Sequence, residues 1–153
     1  AGMYVHPVMV GLDAITSKPV AKEINELVSE NPNAKWIGLD NLYIPNYILA
    51  CGASTINSVN YIPNYDMWEI LDPNKEYEEV WNRYAHVAVN LNDSNKSEYI
   101  LNQQDAITMS LCLDDLKKLN VEYLCSPKEV DDYWKNYVTE IYNESGIWIY
   151  KVN

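Results

Sequence analysis

The sequence contains no phenylalanine, only five glycines and no long apolar run. Five glycines are too few for a glycine-rich phosphate loop, and no Walker, zinc-protease, esterase or EF-hand motif is present. No segment approaches the roughly 18 apolar residues that a transmembrane helix needs, and no signal peptide is visible. These absences weigh against nucleotide-binding, metalloenzyme and hydrolase classes. They also predict that this chain does not itself insert into a membrane.

Positive charge is scarce. Eleven Lys and Arg face 22 Asp and Glu, the net charge is −11, and Arg83 is the only arginine. Such a field repels nucleic acid and anionic lipid, so we expect no nucleic-acid partner. The apolar share of 48% and the charged share of 22% are typical of a folded protein. With 153 residues, the chain is expected to form a single domain over 1–153.

Histidine and cysteine are too few for the common metal centres. The two histidines cannot build a usual zinc site, and Cys51, Cys112 and Cys125 follow no CxxC spacing. Each cysteine lies in an apolar stretch, which predicts buried core thiols, with a disulfide as the alternative. We therefore expect no metal and no cofactor.

Aromatic residues other than phenylalanine are abundant, with 13 Tyr and five Trp. These side chains combine an apolar body with a polar tip and suit sugar-binding faces. The alternative interpretation is that tyrosine replaces phenylalanine in the core and at its rim.

Apolar periodicity alternates between strand and helix patterns along the chain. The predicted strands are 4–12, 35–39, 54–57, 86–91, 99–101, 106–112, 121–125 and 147–152. The predicted helices are 19–30, 45–52, 65–71, 74–84, 113–120 and 128–142. This order indicates an α/β fold, a three-layer sandwich around one mixed, partly parallel sheet with a Rossmann-like half and antiparallel strands. We expect helices on both faces of the parallel part.

Asn and Asp residues collect after the predicted strands. Ligands of parallel α/β sheets bind outside the carboxyl ends of the strands. The residues of this chain at those ends are Asp13, Asp40, Asn41, Asn57, Asn60, Asn90 and Asn92. Carboxylates and amides form paired hydrogen bonds with hydroxyl groups, so this set suits a sugar or polyol. The alternative is that these residues are helix caps and turn residues.

The segment around Arg83 and His86 joins a predicted helix to a predicted strand. One interpretation pairs Arg83 with Asp66, Asp72 or Asp105 as a structural anchor. The other is a clamp for an anionic group, in which Arg83 binds bidentately and His86 donates a hydrogen bond or acts as a base.

Two pairs of adjacent carboxylates carry less information. Each pair lies in the first turn of a predicted helix, where the helix dipole stabilises negative charge. The pairs are Asp114–Asp115 and Asp131–Asp132. We interpret both as caps and solvated faces, and no residue is assigned a catalytic role.

Several segments carry a resemblance to a known class. The final run LKKLNVEYLCSP, a helix and then IYNESGIWIYKVN resembles the tail of large polytopic bacterial membrane proteins. The segments PVMVGLDAITSKPVAKEI, NPNAKWIG, INSVNYIPNYDMWEILDPN and YEEVWNRYAHV extend the likeness over most of the chain. Together they resemble the soluble extracytoplasmic part of proteins related to GT-C-type glycosyltransferases, which use polyprenyl-phosphate sugars.

This resemblance implies a location on the extracytoplasmic side of the cell membrane and a chain that is a fragment of a larger membrane protein. Because that class keeps its catalytic acids in loops between transmembrane helices, it assigns no catalytic residue here. The expected function is a non-catalytic module for cell-envelope glycan processing that binds glycan or a partner, such as the transmembrane part of its own chain. The alternatives are a stand-alone carbohydrate-active enzyme with carboxylates at the strand ends, and a structural spacer.

Overall fold

The structure is a computed structural model that describes residues 18–60 and 62–153. The predicted strand 4–12 and Asp13 lie outside these residues. The helices are α1 (Pro19–Glu30), α2 (Tyr43–Ala50), α3 (Tyr65–Leu71), α4 (Glu78–Trp81), α5 (Leu113–Lys118) and a 3₁₀ turn (Trp134–Asn136). None of them combines the length and apolar character that crossing a bilayer requires.

The strands form two sheets. They are β1 (Lys35–Gly38), β2 (Ser54–Thr55), β3 (Val59–Asn60), β4 (Ala85–Leu91), β5 (Glu98–Gln103), β6 (Ala106–Leu111), β7 (Val121–Ser126), β8 (Val138–Glu144) and β9 (Ile147–Val152). The five-stranded sheet has the order β2-β1-β7-β9-β8, and the four-stranded sheet has the order β3-β4-β6-β5. Parallel and antiparallel pairs occur in both sheets.

The α/β class with mixed, partly parallel strands is confirmed, and the strands are divided between two sheets. Within the described residues, a short parallel bridge joins the two sheets between Leu39, directly after β1, and Val89 of β4. The Asp40 N–H donates to the Val89 carbonyl there at 3.0 Å. The short β2 leaves the edge of β1 after two residues, which lets β4 take over that edge further along the strand.

Asn57 fills the gap between these two neighbours of β1. The Gly38 N–H donates to Asn57 Oδ1 at 3.0 Å, and Asn57 Nδ2 donates to the Gly38 carbonyl at 2.7 Å. The Thr55 hydroxyl lies 3.1 Å from the same Oδ1. Asn57 is completely buried. Its side-chain amide therefore replaces a neighbouring strand and supplies the hydrogen bonds that the buried N–H and carbonyl of Gly38 require.

Two hydrophobic clusters lie on opposite sides of the strands. On one side, α1 and α2 cover the five-stranded sheet around Ile24, Ile48 and Trp36. On the other side, α3, α4 and α5 cover both sheets around Trp68, Trp81 and side chains from β1, β4, β6 and β7. Helices therefore lie in two layers with strands between them, as the layered prediction requires.

The predicted helix 128–142 is wrong. Residues Val138–Glu144 form β8, which pairs with β9 in a hairpin, and only Trp134–Asn136 is helical, as one 3₁₀ turn. The hairpin turns at Ser145 and Gly146, whose φ angles are 57° and 74°. Two residues with positive φ form the turn type that matches the twist of a hairpin.

The three cysteines are buried and free, as predicted for core thiols. Burial raises the pKa of the Cys125 thiol to about 12, and nearby Cys51 adds to the effect. Burial also raises the pKa of Cys51, against a hydrogen bond from Tyr47 that lowers it. Neither thiol is therefore an activated nucleophile.

One face of the four-stranded sheet is not buried. Along β4, Val87 and Val89 point into the core, while His86, Ala88 and Asn90 on the opposite face are partly exposed. The strand register places Thr108 beside Ala88 and Ser110 beside Asn90 on this face. We call His86, Ala88, Asn90, Thr108 and Ser110 the polar face. Because these residues are partly exposed, this face does not match the expectation that helices cover both faces of the parallel strands.

Candidate functional site

A cleft opens where three parallel strands end. Its volume is about 240 Å³, and it is lined by residues that follow β1, β4 and β7. The lining residues are Leu39, Asp40, Asn90, Leu91, Ser126, Lys128, Glu129, Val130, Asp131 and Trp134. This is the position at which α/β sheets bind ligands. We call it the carboxyl-edge cleft.

Asp40 is the best-positioned side chain of this cleft. Its backbone is fixed on both sides, because the Leu39 N–H donates to the Cys125 carbonyl of β7 and the Asp40 N–H to Val89 of β4. The φ angle of Asp40 is 70°, a left-handed conformation that aspartate tolerates better than most residues. Such strain is typical of positions where the backbone presents a functional side chain.

Both oxygens of the Asp40 carboxylate have partners. Lys128 Nζ lies 2.9 Å from Oδ2, and this hydrogen bond, together with the charge of Asp40, raises the pKa of Lys128. The side-chain amide of Asn90 is oriented with its nitrogen toward Asp40, and this nitrogen donates to Oδ1 of Asp40 at 3.1 Å. The arrangement joins three strand ends in one polar network and orients the carboxylate.

The loop after β7 supplies the opposite wall of the cleft. The Ser126 hydroxyl accepts from the Lys128 N–H at 3.2 Å and donates to the Lys128 carbonyl, which forms a tight turn. The Val130 N–H donates to the Tyr150 hydroxyl at 3.2 Å and ties the loop to β9. Glu129 is paired with Lys135 at 2.9 Å. Asp131 also lines the cleft, and Lys135 is shared with Asp132, so carboxylates outnumber ammonium groups around it.

The predicted site residues divide into three groups. Asp40 and Asn41 lie at the carboxyl edge, where Asn41 Oδ1 accepts from the N–H groups of Tyr43 and Ile44 and caps the start of α2. Asn57 is buried in the sheet and offers no atom to a ligand. Asn60 pairs with Ala85 at the opposite end of β4, because β3 runs antiparallel to β4.

Arg83 and His86 also lie at that opposite, amino edge. The expected ion pair of Arg83 is wrong: within the described chain it contacts no carboxylate. Its guanidinium donates to the backbone carbonyls of Glu79 and Gln104 instead. Asp72 is not available to it, because this buried carboxylate accepts from two backbone N–H groups and from the Trp81 indole at 2.8 Å.

Lys128, Glu129 and Asp131 were missed as site residues. The sequence predicts a helix over 128–142 and assigns Asp131–Asp132 to its start as a cap and solvated face, and it assigns no role to Lys128 or Glu129. The available signal was positional: SPKEVD follows the predicted strand 121–125 just as Asp40 follows the strand 35–39. The Asp114–Asp115 interpretation agrees with the structure, since both residues lie in the first turn of α5.

The described residues hold no cluster of three or more His, Cys, Asp or Glu side chains that would bind a metal ion. The site is thus a polar cleft of carboxylate, amide, ammonium and hydroxyl groups at the edge of an α/β sheet. The chain is thus an α/β domain with a polar cleft at the carboxyl edge of its parallel strands. The chain belongs to the family described as Domain of unknown function (DUF7654), whose model matches residues 14–153. No curated protein and no solved structure matches the chain.

Proposed function

We propose that this domain is a non-catalytic extracytoplasmic module of a membrane protein in cell-envelope glycan processing, and that the carboxyl-edge cleft binds the glycan. The observation that carries the binding is the polar network of Asp40, Asn90 and Lys128 at the cleft. The sequence resemblance supports the membrane and envelope setting.

The chemistry of the cleft suits a sugar hydroxyl pair. A carboxylate accepts two hydrogen bonds, while an amide and an ammonium group supply donors. Because the carboxylates that line the cleft outnumber its ammonium groups, the cleft disfavours an anionic ligand and suits a neutral one that carries hydroxyl groups. Its volume of about 240 Å³ falls below the roughly 300–1,000 Å³ of drug-sized pockets and suits a single sugar unit.

Two features support a non-catalytic role. The residues that line the cleft include no histidine and no cysteine, so a base-activated nucleophile is missing from that set. The Asp40 carboxylate is held by two partners and the Ser126 hydroxyl by its own turn. Such groups are placed to recognise a ligand through hydrogen bonds.

The binding test is a titration of the ¹⁵N-labelled protein with glucose, N-acetylglucosamine and soluble cell-wall fragments, followed by NMR. Saturable shifts are expected at the amides of 39–41, 90–91 and 126–131. Lys128→Met should abolish them. Lys118→Met is the matched control, because Lys118 and Asp115 form an ion pair of the same 2.9 Å length elsewhere. Unchanged binding by Lys128→Met, or no shift with any sugar, would refute the proposal.

The arrangement of carboxylates favours one second candidate. Asp40, Glu129 and Asp131 all line the cleft, and glycoside hydrolysis uses two carboxylates on either side of the scissile bond. A stand-alone carbohydrate-active enzyme would release reducing sugar from cell-wall oligosaccharides. Loss of that release in Asp40→Asn and Asp131→Asn, with folding unchanged, would favour the enzyme over the binding module.

A further inference from the structure

The amino edge of β4 holds two side-chain nitrogen atoms that have no hydrogen-bond partner among residues 18–60 and 62–153. Arg83 Nε and His86 Nδ1 are both shielded from solvent, and neither forms a hydrogen bond. The two residues lie three positions apart, and both contact the β5–β6 turn. Arg83 donates to the Gln104 carbonyl at 3.3 Å, and the His86 N–H donates to the Asp105 carbonyl at 2.8 Å. The turn therefore anchors both residues in one place.

The guanidinium charge of Arg83 is also uncompensated. Its hydrogen-bond partners are the backbone carbonyls of Glu79 and Gln104, which are neutral dipoles, and it forms no salt bridge with the described residues. The Arg83 side chain is half-buried and both of these hydrogen bonds lie at the surface, so a bound anion can reach the guanidinium and supply the missing counter-charge. The absence of a protein carboxylate is notable in a chain with 22 of them. An anionic ligand group fits this position.

The same strand connects this edge to the carboxyl-edge cleft. His86 and Asn90 lie on the same face of β4, about 13 Å apart at the usual rise of a strand. Between them lie Ala88, Thr108 and Ser110, which are small and partly exposed. The aromatic ring of Tyr84 borders the far end, with its centroid 5.8 Å from the His86 ring. The polar face thus forms a path between the two edges.

We infer that Arg83 and His86 bind the carboxylate of an acidic sugar, and that the glycan lies along the polar face with a neutral unit in the carboxyl-edge cleft. This inference rests on the proposed function, because it names the substrate class of the same glycan. A single guanidinium matches the charge of one carboxylate, and its planar donors match the carboxylate geometry. The ligand is therefore an acidic oligosaccharide.

The test separates the two ends of the path with glucose, glucuronate, acetate and inorganic phosphate, all followed by NMR. Glucuronate and glucose differ mainly in the carboxylate. We expect glucuronate and acetate to shift the Arg83 Nε–H and the His86 ring resonances, and glucose to shift only the cleft amides. Arg83→Gln should weaken acetate binding by about tenfold or more and leave glucose binding unchanged. His86→Gln provides a second variant in case Arg83→Gln does not fold.

The possible outcomes distinguish failure of the proposed function at the carboxyl-edge cleft from failure of the inference at Arg83 and His86. If glucose binds the cleft but acetate leaves Arg83 and His86 unshifted, the acidic-sugar inference fails while the proposed function stands. If acetate shifts both residues but no sugar shifts the cleft, the proposed function fails. Acetate binding that persists in both variants overturns the inference, as does tighter binding of phosphate than of acetate. Lys118→Met controls for the change in net charge and should bind acetate like the native protein.

Discussion

The two sheets differ in how they are covered. In the five-stranded sheet, β7 is buried at five of its six positions, so both of its faces lie against hydrophobic clusters. In the four-stranded sheet, β4 and β6 alternate between buried and partly exposed residues. Parallel strands that are buried on both faces form a scaffold, whereas a face open to water is available for recognition. The five-stranded sheet therefore contributes more of the buried interior, and the four-stranded sheet carries the partly exposed polar face to which the inference above assigns the glycan.

The candidate sites follow the same division. The carboxyl-edge cleft lies where the two sheets meet, and the pair Arg83–His86 lies at the far end of the open sheet. Side chains on the polar face are small or hydrogen-bonding, while the side chains opposite them on β4 are valines. In the proposed function, the valine side of β4 belongs to the core and the opposite side contacts the glycan.

Removing a core aromatic from the scaffold sheet should give the largest effect. Trp36 is fully buried, and its ring centroid lies 4.6 Å from that of Tyr123. Trp36→Ala is expected to lower the free energy of unfolding by about 3–5 kcal/mol, measured by urea denaturation. Thr108→Ala on the polar face should cost well under about 1 kcal/mol. Comparable losses for the two variants would contradict the division between scaffold and open face.

Breaking the junction between the sheets should have the next largest effect. Asn57→Ala leaves the buried N–H and carbonyl of Gly38 without their partners, and we expect a loss of about 2–3 kcal/mol in unfolding free energy. Asn102→Ala, which removes an exposed hydrogen bond to Thr108, is the matched control with a much smaller expected loss. If both variants unfold at the same urea concentration, the Asn57 amide does not hold the junction.

Alkaline pH should act on the scaffold sheet through Cys125. The folded thiol has a pKa near 12, raised by burial from the usual 9.0. Above pH 9 the unfolded chain loses this proton while the folded chain keeps it. The contribution of Cys125 to the free energy of unfolding is therefore constant below pH 9. It falls as the pH rises toward 12, by up to about 1.4 kcal/mol per pH unit. Urea denaturation between pH 8 and pH 10 measures this slope. Cys125→Ala should flatten it, and an unchanged slope would assign the effect to other groups.

The smallest effect on stability is expected at the cleft. The Asp40–Lys128 ion pair is partly exposed, and such pairs contribute about 0–1 kcal/mol. Lys128→Met should therefore shift the thermal midpoint little while it removes sugar binding. A large loss of stability would instead identify the pair as part of the scaffold, and loss of binding alone could then no longer be assigned to recognition.

Most elements of the fold could be predicted from local pattern. The helix 19–30 has Pro19 in its first turn and a buried stripe at Val20 and Ile24, and the structure confirms it. The prediction of a helix over 128–142 is wrong because the apolar residues of this segment fit the spacing of a helix although part of it forms a strand. These residues are Val130, Trp134, Val138 and Ile141. What decided it was the Ser145–Gly146 turn, which pairs VTEIY with IWIYK and makes a hairpin. Long-range pairing of this kind overrides the local period.

The candidate site was predictable in part. The rule of parallel strand ends located Asp40, and Asn90 joined it there. The same rule misplaced Asn60, because it assumes parallel strands and β3 runs antiparallel. It also could not foresee that the Asn57 amide would be used by the backbone of Gly38. Whether a polar side chain faces a ligand or the protein depends on its neighbours across the sheet, which sequence spacing does not specify.

Gly38 of β1 determines how closely α2 packs against this strand, one residue before the strand leads into the carboxyl-edge cleft at Leu39. A Cβ atom at this position would lie 2.5 Å from the Pro45 nitrogen of α2, so the glycine allows the helix to rest directly on the strand. Any larger residue would push α2 outward and move Asn41, whose side chain accepts from the first N–H groups of that helix. The distance between a helix and a strand at the rear of the sheet therefore sets the position of a residue beside the cleft.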